Sequence, residues 1–361
     1  MENLEMMFSG FYKGKKVLVT GHTGFKGSWL CRWLLLLGAE VAGFSLDPYS
    51  HKDHFIIADL QNKMRDMRGD VRDKEVLGEV FKSFQPDLVF HLAAQPLVRL
   101  SYAIPDITFE TNIMGTVNVL ENSRLQDSVK AAVIVTSDKC YENKEQIWGY
   151  RESDPMGGYD PYSCSKGCAE LVASAYERSF FTGGEKGVAT VRAGNVIGGG
   201  DWSADRLVPD CVRALLNKEP IILRNPHAVR PWQHVLEPLY GYLLLGERLF
   251  KEPKKFSGPW NFAPNPESQV PVGKLAETLV SLWGSGEVVD KSDPHAVHEA
   301  SLLTLDFTKA RFLLGWTPVL KLEDALSFTL DWYKHYNGPE GKELSALQIA
   351  RYADLRERSF L

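Results

Sequence analysis

Thr136, Ser137, Asp138 and Lys139 follow directly on Ala131–Val135, five apolar positions in a row. A strand that apolar is buried. A hydroxyl, an acid and an amine at its end must therefore face water, one another or a ligand. An acid beside a base is what elimination of water requires. A second set lies in YDPYSCSKG, where Tyr162 and Lys166 are four apart. Asp160 suits a helix N-cap and Pro161 the first helical position. On one helix face an ammonium beside a phenol is expected to stabilise the phenolate and lower its pKa from about 10. The product is a base that takes a hydroxyl proton while hydride leaves the same carbon.

The elements that must position these residues alternate. Strands are predicted at 15–20, 40–46, 87–93, 131–137 and 188–195, with helices at 24–37, 73–84, 105–125 and from 161 onward. That order implies right-handed βαβ units and a parallel sheet. Gly21, Gly24 and Gly27 in VTGHTGFKG stand between the first strand and the first helix. With Thr23, Phe25 and Lys26 they form a turn suited to a dinucleotide pyrophosphate. Asp47 closes the second strand, where an acid bonds the adenosine ribose hydroxyls and repels a 2′-phosphate. No arginine follows it closely, the first basic residue being Lys52, so NAD is expected over NADP. Asp70 and Val71, in GDVRD, follow what should be the third strand and are placed to meet the adenine. Leu92, Ala93 and Ala94 end the fourth strand at the carboxyl edge, where such sheets bind ligands.

After residue 195 the pattern loosens. Helices are expected at 208–218, 236–250, 271–284, 322–336 and 343–357, with short strands at 220–224, 259–263 and 287–290. The fold class is α/β: a Rossmann-type doubly wound parallel sheet over 1–195, then a smaller mixed α/β substrate domain over 196–361. The boundary is blurred, and some later segments return to the first domain. The tail 341–360 mixes charges at helical spacing and is expected to be a solvated amphipathic helix.

Composition excludes several classes. The chain has 361 residues, 44% hydrophobic and 24% charged, with a net charge of −5. No basic field calls for nucleic acid or an anionic membrane. The five cysteines, at 31, 140, 164, 168 and 211, form no C-x-x-C and read as reduced thiols in a cytosol. No signal peptide is expected, since the N-terminus has acids early and no long apolar run, and no membrane span, since Arg32 and Glu40 break the longest apolar stretch. The scattered histidines complete no ligand set, so no metal is expected. His234 reads as a core residue.

GxxGxxG, an acid ending the second strand, an alanine pair ending the fourth and Y-x-x-x-K together resemble the extended short-chain dehydrogenase/reductase superfamily. Asn112 in TNIMGTVNVL and the segment VRAGNVIGGGD fit the same pattern, the resemblance covers nearly the whole chain, and it implies that Asn112, Tyr162 and Lys166 contact the cofactor. TSDKCY, AAQPLVRLSY, PMGGYDPYS, SKGCAELVASA, VRAGNVIGGGDW and RPWQHVLEPL narrow it to nucleotide-sugar 4,6-dehydratases, most nearly the CDP-glucose branch. The resemblance implies bound NAD, oxidation at C4 by way of Tyr162 and Lys166, loss of water across C5 and C6, and hydride return to C6. The expected product is CDP-4-keto-6-deoxy-D-glucose, a precursor of deoxysugars such as those of bacterial surface polysaccharide.

Ser137 is implied to hold the substrate hydroxyl. Gln95, Arg99 and Asn195 are implied to line the sugar pocket, and Arg206 and Asn261 to contact the nucleotide. Arg230 suits the diphosphate, and His298 the far wall. Lys139 departs from the pattern, because the commoner dehydratases carry Glu there. Two assignments stay open: Lys139 takes the C5 proton while Asp138 donates to the departing hydroxyl, or the reverse. A 4-epimerase is disfavoured by Asp138 and Lys139, and an NAD-binding sensor or scaffold by the intact Ser, Tyr and Lys set. Helices 105–125 and 161–181 are implied to form a homodimer seam.

Overall fold

The computed structural model describes residues 7–292 and 302–359. Seven parallel strands form the central sheet: β1 (Lys16–Thr20), β2 (Glu40–Ser45), β3 (Arg65–Arg68), β4 (Leu88–His91), β5 (Ala131–Val135), β6 (Gly187–Arg192) and β7 (Gly258–Asn261). Their order is β3-β2-β1-β4-β5-β6-β7. The order reverses between β1 and β4, so the loops beyond Thr20 and His91 open a crevice at the carboxyl edge. β7 comes from the second half of the chain and pairs in parallel with β6, Asn261 opposite Arg192.

Strand alternation divides the core in two. Val17, Val19, Phe90, Val133 and Val191 pack on one face with Trp29, Leu30 and Trp33 of helix α1 (Phe25–Leu36). Leu18, Val89, Ala132 and Ile134 pack on the other with Leu77, Val80 and Phe81 of α2 (Lys74–Phe84). Side chains that alternate across a pleat explain the split. Helix α3 (105–125) and α4 (Pro161–Phe180) cover the second face beside α2. Within α3, Glu110–Met114 is a π turn.

The later helices are α5 (Leu207–Asn217), α6 (Leu236–Lys251), α7 (Val272–Trp283), α8 (Leu322–His335) and α9 (Leu344–Ser359). α6 lies against β5 and β6 on the α1 side. Its Leu239, Tyr242 and Leu243 join the first core.

The tail departs from expectation. α9 is no solvated helix: Leu344, Gln348, Ile349, Tyr352, Ala353 and Arg356 are buried. Tyr352 meets Trp33 of α1 edge-on, with ring centroids 5.7 Å apart. The Arg356 guanidinium lies 3.8 Å over the Tyr240 ring. Glu237 of α6 accepts from Tyr352 Oη at 2.7 Å and from the backbone N–H groups of Val319 and Leu320 at 2.7 and 2.6 Å. Charges at helical spacing had suggested a wet face; here Arg356 and Glu237 neutralise each other under cover. Among the described residues, no helix is long and apolar enough to cross a membrane.

Candidate active site

The glycine turn is built for close approach. A Cβ on Gly21 would lie 2.6 Å from Ala93 N, and one on Gly27 would lie 2.1 Å from Gly21 O. Gly21 also holds φ +74, a left-handed value that favours glycine. Gly24 is the N-cap of α1 and no side chain caps that first turn. Its backbone N–H groups are therefore available to a phosphate. Thr23 ties the turn to β2 by bonds to Ser45 Oγ at 2.9 Å and to Leu46 O at 3.0 Å. Leu92 and Ala93 close the crevice floor, donating to Thr20 O at 3.0 Å and Thr20 Oγ1 at 3.4 Å, with Ala94 next in the loop. These features fit a bound dinucleotide.

Asp47 projects from the end of β2 with its side chain 89% exposed. No arginine follows Asp47 closely along the chain, but Arg68, at the end of β3, brings Nε to 3.9 Å in space. The parallel pairing of β2 with β3 sets Arg68 opposite Ser45, a proximity invisible along the chain. Arg68 is itself held by Asp66 at 2.7 Å and Leu46 O at 3.1 Å. Asp70 is bonded by Arg72, through its backbone N at 2.9 Å and Nε at 3.0 Å. Val71 is buried against Gly115 of α3.

At the end of β5 the chain turns through Asp138–Cys140, capped by Ser137, whose Oγ accepts from Lys139 N at 3.2 Å. Ser137 Oγ donates to Asp138 Oδ1 at 3.0 Å. Asp138 is 3% exposed, and its Oδ2 is buried without a hydrogen-bond partner. A Cβ on Gly194 would sit 1.9 Å from that oxygen, so glycine is what leaves it room. The half-buried Lys139 forms no side-chain hydrogen bond among the described residues. Tyr162 comes from the first turn of α4, with Asp160 capping Ser163 N at 2.9 Å as expected.

The phenol does not behave as expected. Burial pushes the Tyr162 pKa up to about 12, with the nearby Ser137 and the charge of Arg206 opposing. Lys166 instead donates to Val135 O at 3.2 Å. Burial lowers its own pKa to about 8, with Glu170 opposing. Desolvation outweighs the groups that favour the phenolate in this arrangement.

Lys26 is a second departure. Its Nζ reaches across to donate to Tyr242 Oη of α6 at 2.9 Å. Burial, with Lys166 and Arg206 nearby, lowers its pKa to about 7 against the pull of Asp138. Its ammonium is thus engaged by α6, although the residue sits in the glycine turn. Arg206 bonds Asp201 at 2.9 Å. Arg99, on the short helix Val98–Ala103, pairs with Asp205 at 3.5 Å. Asn195 follows β6 with φ +46 and is half-buried. Arg230 lies in the strand Val229–Pro231, paired with Gln269–Pro271. His298 lies outside the described residues.

Three expected contacts are committed to the protein itself. Gln95 donates to Leu97 O at 3.1 Å and Thr108 Oγ1 at 2.9 Å, while its Oε1 accepts from Leu97 N at 2.6 Å. Asn112, in the π turn, clamps the same loop: Oδ1 accepts from Gln95 N at 2.8 Å, and Nδ2 donates to Gln95 O at 3.1 Å and Ser165 Oγ at 2.8 Å. Asn261 is 0% exposed; its Oδ1 accepts from Tyr141 Oη at 2.8 Å and its Nδ2 donates to Tyr150 O at 2.8 Å. It braces the wall and does not present its amide to a nucleotide. A buried side chain must satisfy its polar atoms, and here the neighbouring chain does so first.

Sequence reasoning missed Glu170, Tyr141 and Tyr242. Glu170 holds Arg192 through two bonds, at 2.8 and 2.7 Å, and accepts from Thr136 and Thr190. Its spacing four residues after Lys166 on α4 was the available signal. Tyr242 had none, because only the fold brings α6 to the glycine turn. His234 is buried between Trp29 and Phe328.

The family model described as GDP-mannose 4,6 dehydratase matches residues 18–251. The CDP-glucose 4,6-dehydratase of Salmonella typhimurium is 50% identical over 359 residues, 98% of this chain and all of that one. Among solved structures, the dTDP-glucose 4,6-dehydratase DesIV from Streptomyces venezuelae, with NAD bound, superposes with a TM-score of 0.75 at 25% identity. It covers 90% of this chain and 98% of that one. The dTDP-glucose 4,6-dehydratase of Bacillus anthracis in complex with NAD gives a TM-score of 0.76 at 22% identity, covering 92% of this chain and 100% of that one, and shares the fold.

Proposed function

The chain belongs to the GDP-mannose 4,6-dehydratase family, and from that premise we propose that it converts CDP-D-glucose to CDP-4-keto-6-deoxy-D-glucose and water. The observation that carries the proposal is the identity, over nearly its whole length, to a CDP-glucose 4,6-dehydratase. The acid and amine at the end of β5 supply what elimination needs. NAD is the cofactor; when bound, it accepts the C4 hydride and returns it to C6. The glycine turn and the uncapped N-terminus of α1 hold its pyrophosphate, and Asp47 its ribose.

Tyr162 takes the 4-hydroxyl proton, helped by Ser137 and Arg206, which both favour its phenolate. The C4 ketone acidifies the C5 hydrogen, and Lys139 removes it. Asp138 gives a proton through Oδ2 to the C6 oxygen, which leaves as water. The arginines Arg206 and Arg230 surround the nucleotide and diphosphate, and Arg99 and Asn195 face the sugar. The segments after residue 195 that lie outside the central sheet form the substrate domain. We further read the exposed apolar residues Ile107, Met114, Leu125, Leu171 and Phe180 of α3 and α4 as the seam of a homodimer. The enzyme works in the cytoplasm, with five free thiols, in deoxysugar synthesis.

A panel of CDP-, dTDP-, UDP- and GDP-glucose with NAD, scored for 4-keto-6-deoxy product, tests this. CDP-glucose is expected to exceed the others in kcat/KM by at least tenfold. Preference for another base would overturn the choice of nucleotide, and a C4 epimer as sole product would overturn the elimination.

A further inference from the structure

The unpartnered oxygen of Asp138 lies against a residue with no side chain. The three atoms nearest a Cβ built on Gly194 all belong to Asp138: Oδ2 at 1.9 Å, Cγ at 2.5 Å and Cβ at 3.1 Å. The carboxylate therefore fills the space that a side chain at position 194 would take. Gly194 does not hold a left-handed φ, so the backbone there gives no reason for glycine. What the bare Cα provides is room for one carboxylate.

The backbone at Gly194 is tied down. The residue lies just beyond β6, and its C=O accepts from Gln233 Nε2 at 3.2 Å. The same nitrogen donates to Phe262 O at 3.0 Å, and the Gln233 backbone N–H donates to Asn195 O at 3.3 Å. Gln233 is buried. With the backbone held on that side, a methyl at 194 must displace the Asp138 side chain. Displacement breaks the 3.0 Å bond from Ser137 Oγ to Asp138 Oδ1.

The two oxygens of Asp138 are thus treated differently. Oδ1 is anchored by Ser137, while Oδ2 is buried over Gly194 with no partner among the described residues. A buried carboxylate oxygen left without a partner is costly. In the proposed reaction its partner is the C6 oxygen of the sugar.

We propose that Gly194 is a positioning residue for the elimination. By leaving its Cβ space to Asp138, it fixes the carboxyl where it protonates the C6 oxygen, and so decides whether the oxidised sugar loses water or is reduced back. In the elimination the C5 electron pair becomes the C5=C6 bond, the C6–O bond breaks, and the Asp138 proton leaves with that oxygen as water. With Asp138 displaced, Lys139 returns its proton to C5 and the hydride goes back to C4, so CDP-glucose is re-formed. Both branches return the dinucleotide to its oxidised form. The inference rests on the proposed reaction, with Asp138 as donor to the C6 oxygen.

The Gly194→Ala holoenzyme, mixed with CDP-glucose in deuterium oxide, separates the branches. Nicotinamide absorbance follows oxidation at C4, and mass spectrometry follows C5 deuterium and the C6 oxygen. Oxidation at C4 should stay within about threefold of wild type and deuterium should enter C5 of recovered CDP-glucose, while 4-keto-6-deoxy product falls about 100-fold. Urea unfolding gives a readout apart from activity. Gly194→Ala should destabilise the wild-type chain and destabilise an Asp138→Ala chain far less, because there the carboxylate is gone and the methyl has room. Dehydration by Gly194→Ala at the wild-type rate, parallel loss of C4 oxidation and dehydration, or equal destabilisation in both backgrounds would overturn the inference while the dehydratase reading stands. A wild type that forms no 4-keto-6-deoxy sugar would overturn both.

Discussion

Tyr162 rests as a phenol because burial outweighs the charges near it, and reaction must pull it the other way. Tyr162→Phe should therefore lower kcat by about 10³-fold or more with little change in CDP-glucose affinity, since it deletes a proton acceptor and leaves the ring. Stopped-flow turnover alongside calorimetric binding would check both halves. The two residues after Ser137 separate by exchange. Lys139→Met should form the 4-keto sugar and admit no solvent deuterium at C5, whereas Asp138→Asn should exchange C5 and keep the C6 oxygen; mass spectrometry of the sugar decides. If the exchange pattern is reversed between them, so are the roles. Asp47 carries a sharper expectation now that Arg68 stands 3.9 Å away. Asp47→Ala should not merely weaken NAD binding but raise NADP affinity at least tenfold, because it leaves Arg68 facing the 2′-position with its charge less opposed. Titration of both dinucleotides by tryptophan fluorescence measures the ratio.

The elements carry a different kind of information. Strand alternation, the glycine turn and the Asp160–Pro161 start of α4 were legible in the sequence because each is set by residues a few positions apart. The π turn in α3 was not, nor was the bonding of Asn112, Gln95 and Asn261 to the protein. Those depend on which buried donors the fold brings within 3 Å, and a motif match reports only that a polar residue stands there. Lys26 shows the same limit. Its place in the glycine turn suggested a phosphate, and α6 supplied Tyr242 instead. The clamp by Asn112 has a measurable worth. Asn112→Ala removes three hydrogen bonds and strands the Gln95 backbone N–H and C=O. It should destabilise the chain by about 2–3 kcal/mol in urea unfolding, and slow turnover because the 95–103 loop, which carries Ser101 to Tyr162 N, loses its anchor.

At the scale of the whole molecule, His54, His91 and His234 are each pushed down to about 3 by burial. Between about pH 6.5 and 3 the unfolded chain binds protons there that the fold refuses, so stability falls as pH falls. Each contributes up to about 1.4 kcal/mol per pH unit. Glu237 works the opposite way, because burial raises its pKa and the fold takes up its proton first. Urea melts at pH 7.5 and 5.5 should show a net loss, and His234→Leu should remove about a third of the histidine share. The seating of α9 on α1 bears on how the molecule is made. Arg32 and its partner Glu343 are 311 residues apart, and Trp33 is covered by Tyr352. Translation delivers one of the first helices long before the helix that covers it. A nascent chain therefore carries a bare aromatic stripe while the rest of the sheet assembles, the kind of surface that chaperones grip. A ribosome-stalled chain ending at residue 340 should stay chaperone-bound and protease-sensitive, and the released full chain should be neither.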